Sequence, residues 1–279
     1  MRIRESTICW LQGGLGNQLF QLNAGLVAEQ IYGHKLLLSI GAFRHLPDRS
    51  FELGPVSADI PVLSRLEDGL VRPYSKMGAL KRRIRPAGLE VAQSIDQTRR
   101  PGSVLVGFFQ DSESLRHSVG LTANRLSSLD VKIPSGDIGK RVADSVAVHV
   151  RRGDYVSLAS SISAFGQTTA DYYRAGLEAL EAGPDDAVFF TDDPEWVVGA
   201  FGVQRSQVVT EADIVSPLQT MLTMALAPKL VMPNSTFSWW AGELVMRRGG
   251  QVAGPRKWFF DRADSDSLVN DDWVHLDHE

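Results

Sequence analysis

Cysteine is nearly absent: Cys9 is the only one in the chain. An internal disulfide and a multi-cysteine metal cluster are therefore excluded. Cys9 lies in an apolar run and reads as a small core residue. Long apolar stretches are missing too. None approaches the roughly 20 residues that a membrane span requires, and the apolar run near the start is too short for a signal peptide. A reduced, cytoplasmic setting is expected. Positive charge is not in excess, with 29 Lys and Arg against 33 Asp and Glu and a net charge of -4. No basic field exists to draw nucleic acid, and no nucleic-acid partner is expected. No GKS or GKT occurs, which excludes a P-loop. Gly14-Leu15-Gly16 begins a GxGxxG, but Leu19 stands where the third glycine belongs. The second strand runs out at Ser39-Ile40-Gly41 with no acidic residue, so a dinucleotide site is not expected. HExxH and Cys/His clusters are also absent. Asp264-Ser265-Asp266 imitates a DxD metal motif but falls in a polar tail after what reads as the last strand, so no metal or cofactor is expected.

What is present is a 279-residue chain, 43% apolar and 22% charged. That is the composition of a globular protein of one or two domains. Thr7 to Gln12 reads as a strand, Gly13 to Gly16 as a tight loop, and Asn17 as the N-cap of a helix. Leu19, Leu22 and Leu26 form one apolar row of that helix. Phe20, Ala24, Val27 and Ile31 form the next. Gly33 stops the helix, and Lys35 to Ile40 is a second strand, completing a parallel βαβ unit. Residues 41–103 are less regular. Within them Ser75 to Arg85 carries two readings, a solvated basic face and docking on an anionic membrane surface. Ser103 to Phe109 reads as a strand and Leu115 to Leu129 as helical. Pro134-Ser135-Gly136 resembles a linker, dividing the chain into domains 1–135 and 136–279.

The second half repeats the rhythm. Ser145 to Val150 is a buried strand with Val146, Val148 and Val150 on one face and His149 on the other. It stops at Arg151-Arg152-Gly153-Asp154. A helix over Thr169 to Glu181 and a strand over Ala187 to Phe190 follow, the strand ending at Asp192-Asp193, and Pro194 opens another helix. Strands at Val208-Val209 and Lys229 to Met232 flank a helix over Leu218 to Leu226. The next loop holds Asn234-Ser235-Thr236 and leads, with Asn234 or Ser235 as cap, into a helix from about Phe237 to Met246. Gln251 to Ala253 is taken as the last strand. Trp239 and Trp240 face different ways on that helix, so at least one belongs to the core rather than to a sugar platform.

Three strand ends thus carry ligand chemistry: Arg151-Arg152, Asp192-Asp193 and Asn234-Ser235-Thr236. In a parallel sheet they share one edge, the edge where open α/β sheets bind ligands. Guanidinium forks and a hydroxyl-rich helix start suit an anion. A carboxylate beside them suits an amino group of a base or the hydroxyls of a ribose. Together they describe a nucleoside diphosphate held without a P-loop.

The motifs GGLGNQLFQ (13–21), GFFQDSE (107–113), HVRRGDY (149–155), DYYRAGL (171–177), FFTDDPEW (189–196) and PNSTFSWWAGEL (233–244), with a weaker GPRKWF (254–259), resemble those of the bacterial α-1,2-fucosyltransferase family. The resemblance implies an α/β fold of the GT-B glycosyltransferase type, two Rossmann-like domains facing across a cleft. It implies an acceptor-side domain over 1–135 and a GDP-sugar donor domain over 136–279, whose tail can cross back. It implies inverting transfer of fucose from GDP-fucose to a galactose hydroxyl, with O-2 the first expectation, on an oligosaccharide or lipid-linked glycan. Position by position, Arg151 matches the arginine on the diphosphate, with Arg152 close by. His149 and Asp192 or Asp193 match positions near the guanine. Asn234, Ser235, Thr236 and Ser238 match the loop around the phosphates. Gly14, Gly16, Asn17 and Gln18 match the N-terminal loop that reaches toward the donor. Residues 41–103 fall outside these motifs, on the side that faces the acceptor.

Charge developing on the departing diphosphate would be met by Arg151, Arg152 and the amides of the 235–238 helix start, without metal. The general base is drawn from Asp154, Asp111 and Glu113, with Asp154 preferred. The setting is cytoplasmic, extended by peripheral contact with the inner face of the plasma membrane. Two alternatives stand beside this reading: a non-catalytic nucleotide-sugar or glycan-binding protein on the same fold, and a transferase of another nucleotide sugar.

Overall fold

The first strand, β1 (Thr7–Trp10), is buried throughout and feeds the glycine loop directly. In a computed structural model, residues 2–45, 49–71, 89–115, 119–130, 137–152, 168–214, 216–260 and 266–277 are described. They fall into two compact units, Met1–Leu129 and Asp130–Glu279. Each is an α/β unit built on a parallel sheet, the construction the resemblance implies. Pro134-Ser135-Gly136, Ser75–Arg85, Gly153, Asp154, Asp264 and Ser265 lie outside the described residues, as does the side chain of Glu113.

In the first unit, α1 (Leu15–Tyr32) begins three residues earlier than the sequence suggests. Gly14 occupies the N-cap position, and Asn17 sits inside the first turn rather than capping it. Gly33 ends the helix at φ +72°, and its N–H donates to the Glu29 carbonyl at 2.8 Å. A left-handed residue at a helix stop favours glycine, which has no Cβ to clash. Leu19, Phe20, Leu22, Ala24, Leu26 and Val27 are buried as their spacing requires, whereas Ile31 near the helix end is exposed. The helix lies very close to the sheet, because Gly25 leaves the Leu36 methyls room that a Cβ would fill at 2.8 Å.

β2 (Leu36–Ser39) pairs parallel with β1, and residues 61–63 run along its outer edge through the Leu38–Val62 bridge. α2 (Arg65–Val71) follows. β3 (Glu90–Ala92) and β4 (Ser103–Leu105) complete the sheet in the order β2-β1-β4-β3, all parallel. β4 is shorter than the run to Phe109 that its sequence suggests. The helical stretch expected over Leu115 to Leu129 is realised as α3 (Gly120–Ser127). Apolar clusters cover both faces. Ile8, Trp10, Leu37 and Val104 face one side; Ala24, Val27, Ala28 and Leu105 pack on the other.

In the second unit, α4 (Asp137–Ala143) leads into β5 (Val146–Val150), whose five residues are all buried. α5 (Ala170–Ala179), β6 (Ala187–Thr191), α6 (Pro194–Phe201) and β7 (Val208–Val209) follow. The chain then returns through α7 (Pro217–Met224) to β8 (Lys229–Val231), α8 (Thr236–Arg247) and β9 (Gln251–Pro255). A further strand, β10 (Val274–Leu276), pairs parallel with β9. The tail is therefore not polar coil beyond the last strand, as its sequence suggests. A three-residue strand among acidic neighbours leaves no alternating pattern long enough to detect.

The sheet order is β7-β6-β5-β8-β9-β10. This is the doubly wound 3-2-1-4-5-6 arrangement, in which the chain reverses direction across the sheet between β5 and β8. Val146, Val148 and Val150 pack with Tyr172, Tyr173, Leu177 and Phe189 in one core. α5 approaches β8 through Gly176, where a Cβ would come within 2.5 Å of Val231 Cγ1 and 2.9 Å of Leu276 Cδ1.

Candidate functional site

All strands of the second sheet are parallel and β5 lies between β6 and β8. The residues that follow β5, β6 and β8 therefore emerge on the same edge, side by side. This brings together Arg151-Arg152, Asp192-Asp193 and Asn234-Ser235-Thr236. The reversal between β5 and β8 opens the crevice in which such sheets bind ligands, and Arg151 and the start of α8 flank it.

Asp192 and Asp193 do more than line the edge. Asp192 Oδ1 accepts the Arg152 backbone N–H at 2.9 Å. Asp193 Oδ2 accepts from Arg152 Nε at 3.1 Å, while its Oδ1 caps α6 by accepting the Trp196 N–H at 3.2 Å. The Arg152 guanidinium also lies over the Trp196 ring, 4.1 Å from its centroid. The FFTDDPEW segment thus forms a bracket that fixes the backbone turn after β5. Arg152 is fastened within this bracket by an ion pair and a cation–π contact.

Two tyrosines complete the floor, and residue-by-residue reading of the sequence missed their role. Tyr172 donates its hydroxyl to the Met232 carbonyl at 2.8 Å, just past β8. The Tyr173 hydroxyl lies 3.0 Å from Thr168 Oγ1 and against the backbone of Arg151. α5 thereby ties the ends of β5 and β8 to one helix. Thr169 starts that helix by accepting the Tyr172 N–H at 3.2 Å. Burial holds both phenols well above their ordinary pKa, so they act as neutral hydrogen-bonding groups. The available signal was the DYYRAGL motif itself, but adjacent tyrosines on a helix look like ordinary core.

His149 faces away from the valine core, as its strand position requires. Its ring centroid is 5.5 Å from that of Phe237 in the first turn of α8. The imidazole is 8% exposed, and Nδ1 has no hydrogen-bond partner among the described residues. Burial, assisted by the Arg151 guanidinium, pushes its pKa down to about 3. The ring is therefore neutral at physiological pH, able to donate from one nitrogen and accept at the other.

Of the two cap candidates of α8, Ser235 and not Asn234 takes the N-cap position, but its side chain makes no bond to the helix. Asn234 instead donates from Nδ2 to the Trp258 carbonyl at 3.1 Å, anchoring the loop to the GPRKWF segment. Ser238 is fully buried and donates to the Ser235 carbonyl at 3.3 Å. A helix start that its own cap residue does not serve suits an anionic oxygen. Both Trp239 and Trp240 are buried, packed edge to face at 5.2 Å. Trp239 Nε1 donates to the Leu268 carbonyl at 2.7 Å, so the pair is a wedge behind the loop and not a sugar platform.

In the first unit the predicted loop residues have varied duties. Gly14 is the N-cap and Gly16 is buried in the first turn. Gln18 is fully buried; its Nε2 donates to the Gly13 and Ser50 carbonyls and its Oε1 accepts the Glu52 N–H. Its amide is engaged in fastening residues 50–52 to the glycine loop. Asn17 Oδ1 accepts from Gln110 Nε2 at 2.8 Å. Gln21 links Gln12 N–H (2.9 Å) to the Gly107 carbonyl (3.1 Å), joining the ends of β1 and β4. Of the candidate bases, Asp111 accepts both the backbone N–H and the hydroxyl of Ser114. Among the described residues no group of three or more His, Cys, Asp or Glu is placed to hold a metal ion.

The chain also has recognisable relatives. A family model described as Glycosyl transferase family 11 matches residues 107–277. The chain is 23% identical over 289 residues to an Alpha-1,2-colitosyltransferase of Escherichia coli, covering 96% of this chain and 97% of that protein. It is 25% identical over 299 residues to the O-antigen biosynthesis glycosyltransferase WbnK of Escherichia coli, covering 95% and 99%. Among solved structures it is similar to the fucosyltransferase NodZ from Bradyrhizobium, at 16% identity and a TM-score of 0.46, over 85% of this chain and 92% of that one.

Proposed function

The chain belongs to glycosyl transferase family 11, and on that basis we propose that it is an inverting α-1,2-fucosyltransferase. Glycosyl transfer is the family's activity. The donor is GDP-fucose and the acceptor O-2 of a galactose in an oligosaccharide or lipid-linked glycan. The observation that carries the donor side is the placement of Arg151, the Asp192-Asp193 bracket and the start of α8 on adjacent strand ends at the β5/β8 reversal.

In this reading the second unit holds the nucleotide and the first serves the acceptor. Arg151 and the α8 amides take up the negative charge that develops on the departing diphosphate, and no metal is needed. The neutral imidazole of His149 is suited to the guanine, whose edge carries both donors and acceptors. Asp154, one glycine beyond the arginines, is the proposed base, since the glycan hydroxyl must lose its proton as it attacks. Among the described residues no helix is long and apolar enough to cross a membrane. The proposed setting is the cytoplasm, with peripheral contact where the acceptor is lipid-linked.

One observation favours a second reading. A relative is named as a colitosyltransferase, and colitose is fucose without its 3-hydroxyl. A site that hydrogen-bonds a hydroxyl rejects the deoxy analogue strongly, whereas a site that merely tolerates one does not. The test is product formation from GDP-fucose, GDP-colitose, UDP- and dTDP-sugars with galactose-terminated acceptors, in EDTA. The expected result is transfer from GDP-fucose at an unchanged rate in EDTA. Exclusive use of GDP-colitose would select the second reading. Complete loss of activity in EDTA, restored by magnesium or manganese, would remove the metal-free mechanism.

A further inference from the structure

Phe108 is exposed at the ligand edge of the first sheet, and the structure holds it there at a cost. Order β2-β1-β4-β3 sets β4 beside β1 in a parallel sheet, so residues 107–110 leave β4 on the same edge as the glycine loop that follows β1. Gly107 is fixed by the bond from Gln21 to its carbonyl. Phe109 folds back over Gly107, where an added Cβ would sit 3.4 Å from its ring, and packs with Ala24, Val27 and Ala28. To do so it adopts φ +53°, a left-handed conformation that a bulky residue rarely takes and that concentrates at functional positions. Gln110 is then held by its bond to Asn17. Between these anchors Phe108 projects outward, 46% exposed.

Packing accounts for the strained Phe109, but the exposure of Phe108 is not returned as packing. An aromatic ring presented rigidly beside oriented carboxamides, on a sheet edge that commonly binds ligands, has the composition of a small-molecule subsite. A pyranose offers the matching surfaces: an apolar face of C–H groups for the ring, and neutral hydroxyls for an amide. Charge plays no part in these interactions, which separates this site from the arginine site of the second unit.

We propose that Phe108 is the stacking platform for a sugar ring of the acceptor, with Gln110, oriented by Asn17, hydrogen-bonding that ring's hydroxyls. The proposal rests on the glycosyltransferase reading for the identity of its ligand as an acceptor glycan. It places acceptor recognition in the GFFQ segment, beyond the unmatched residues 41–103.

The test is Phe108→Ala beside Phe108→Trp, with lactose as the probe. The side chain is exposed, so both variants should keep the wild-type Tm. Phe108→Ala is expected to raise the KM for lactose about 10-fold or more and Phe108→Trp to restore it. The Kd for GDP by calorimetry should stay within about 2-fold in both. Removing a stacking interaction worth ~1.4 kcal/mol weakens affinity tenfold. An unchanged lactose KM in Phe108→Ala overturns the proposal and leaves the function standing. A tenfold drop in GDP affinity overturns it as well, since the ring would then serve the donor. If the wild type transfers no sugar at all, the function reading fails by itself. Lactose binding followed by saturation-transfer NMR then decides the subsite: binding abolished in Phe108→Ala supports it, and binding unchanged overturns it.

Discussion

Arg151 and Arg152 are neighbours in sequence with different surroundings. The Arg152 guanidinium is fastened between Asp193 and Trp196, an arrangement that lysine's point charge would not reproduce. Arg151 leaves the strand beside a buried neutral histidine, whose pKa its own charge helps to depress. In the proposed reading the Arg151 guanidinium meets the diphosphate with its planar fork as much as with its charge. Arg151→Lys is therefore expected to lower kcat by about 100-fold, the scale of one oxyanion-stabilising donor, with little change in Tm. Single-turnover kinetics with GDP-fucose check this. Near-native turnover in the lysine variant would make Arg151 peripheral.

Among the elements, α5 has the tightest geometry. Its two tyrosines reach the ends of β5 and β8, and they can do so only because Gly176 lets the helix settle on Val231 and Leu276. An added methyl would force the helix away from the sheet. Overpacking of this kind typically costs about 1–3 kcal/mol. Gly176→Ala should lower the unfolding free energy in urea by that amount with the slope unchanged, and should weaken GDP binding as the tyrosines withdraw. A variant as stable as the wild type would show that the helix is free to shift. The bracket on α6 works by a related principle. Asp193 serves its helix as cap and the site as ion-pair partner at once, so local helix chemistry and site geometry are set by one carboxylate.

Across the full chain, the two units each have their own parallel sheet and their own cores. A ligand that binds one unit stabilises that unit by mass action, by about 2.7 kcal/mol at 100 times its Kd. With GDP at that concentration, hydrogen exchange is expected to slow at the amides of 146–152, 187–193 and 236–240. The amides of 20–45, beyond the glycine loop, should change little. Protection confined to the first unit would reverse the proposed division of labour between donor and acceptor.

Much of this was legible in the sequence because local rules governed it. The βαβ start, the Gly33 stop, the Thr169 and Pro194 helix starts and the valine face of β5 follow from periodicity and turn chemistry, which the tertiary structure did not override. The parallel arrangement also made it possible to expect three polar strand ends on one edge. The sequence could not give the order of the strands, and β5 lies between β6 and β8 because of how the helices pack, not because of any local motif. Nor could it separate the duties of similar residues. Asp193 and Arg152 read from the sequence as ligand-binding groups, and only the structure shows that they also bond to each other. Asn17 and Asn234 read from the sequence as site residues or caps, and only the structure shows their bonds to the distant partners Gln110 and Trp258. Those partners are far away along the chain and close only in space. Residue chemistry therefore determined which groups could bind an anion and a sugar, and long-range packing decided which of them hold the others in position.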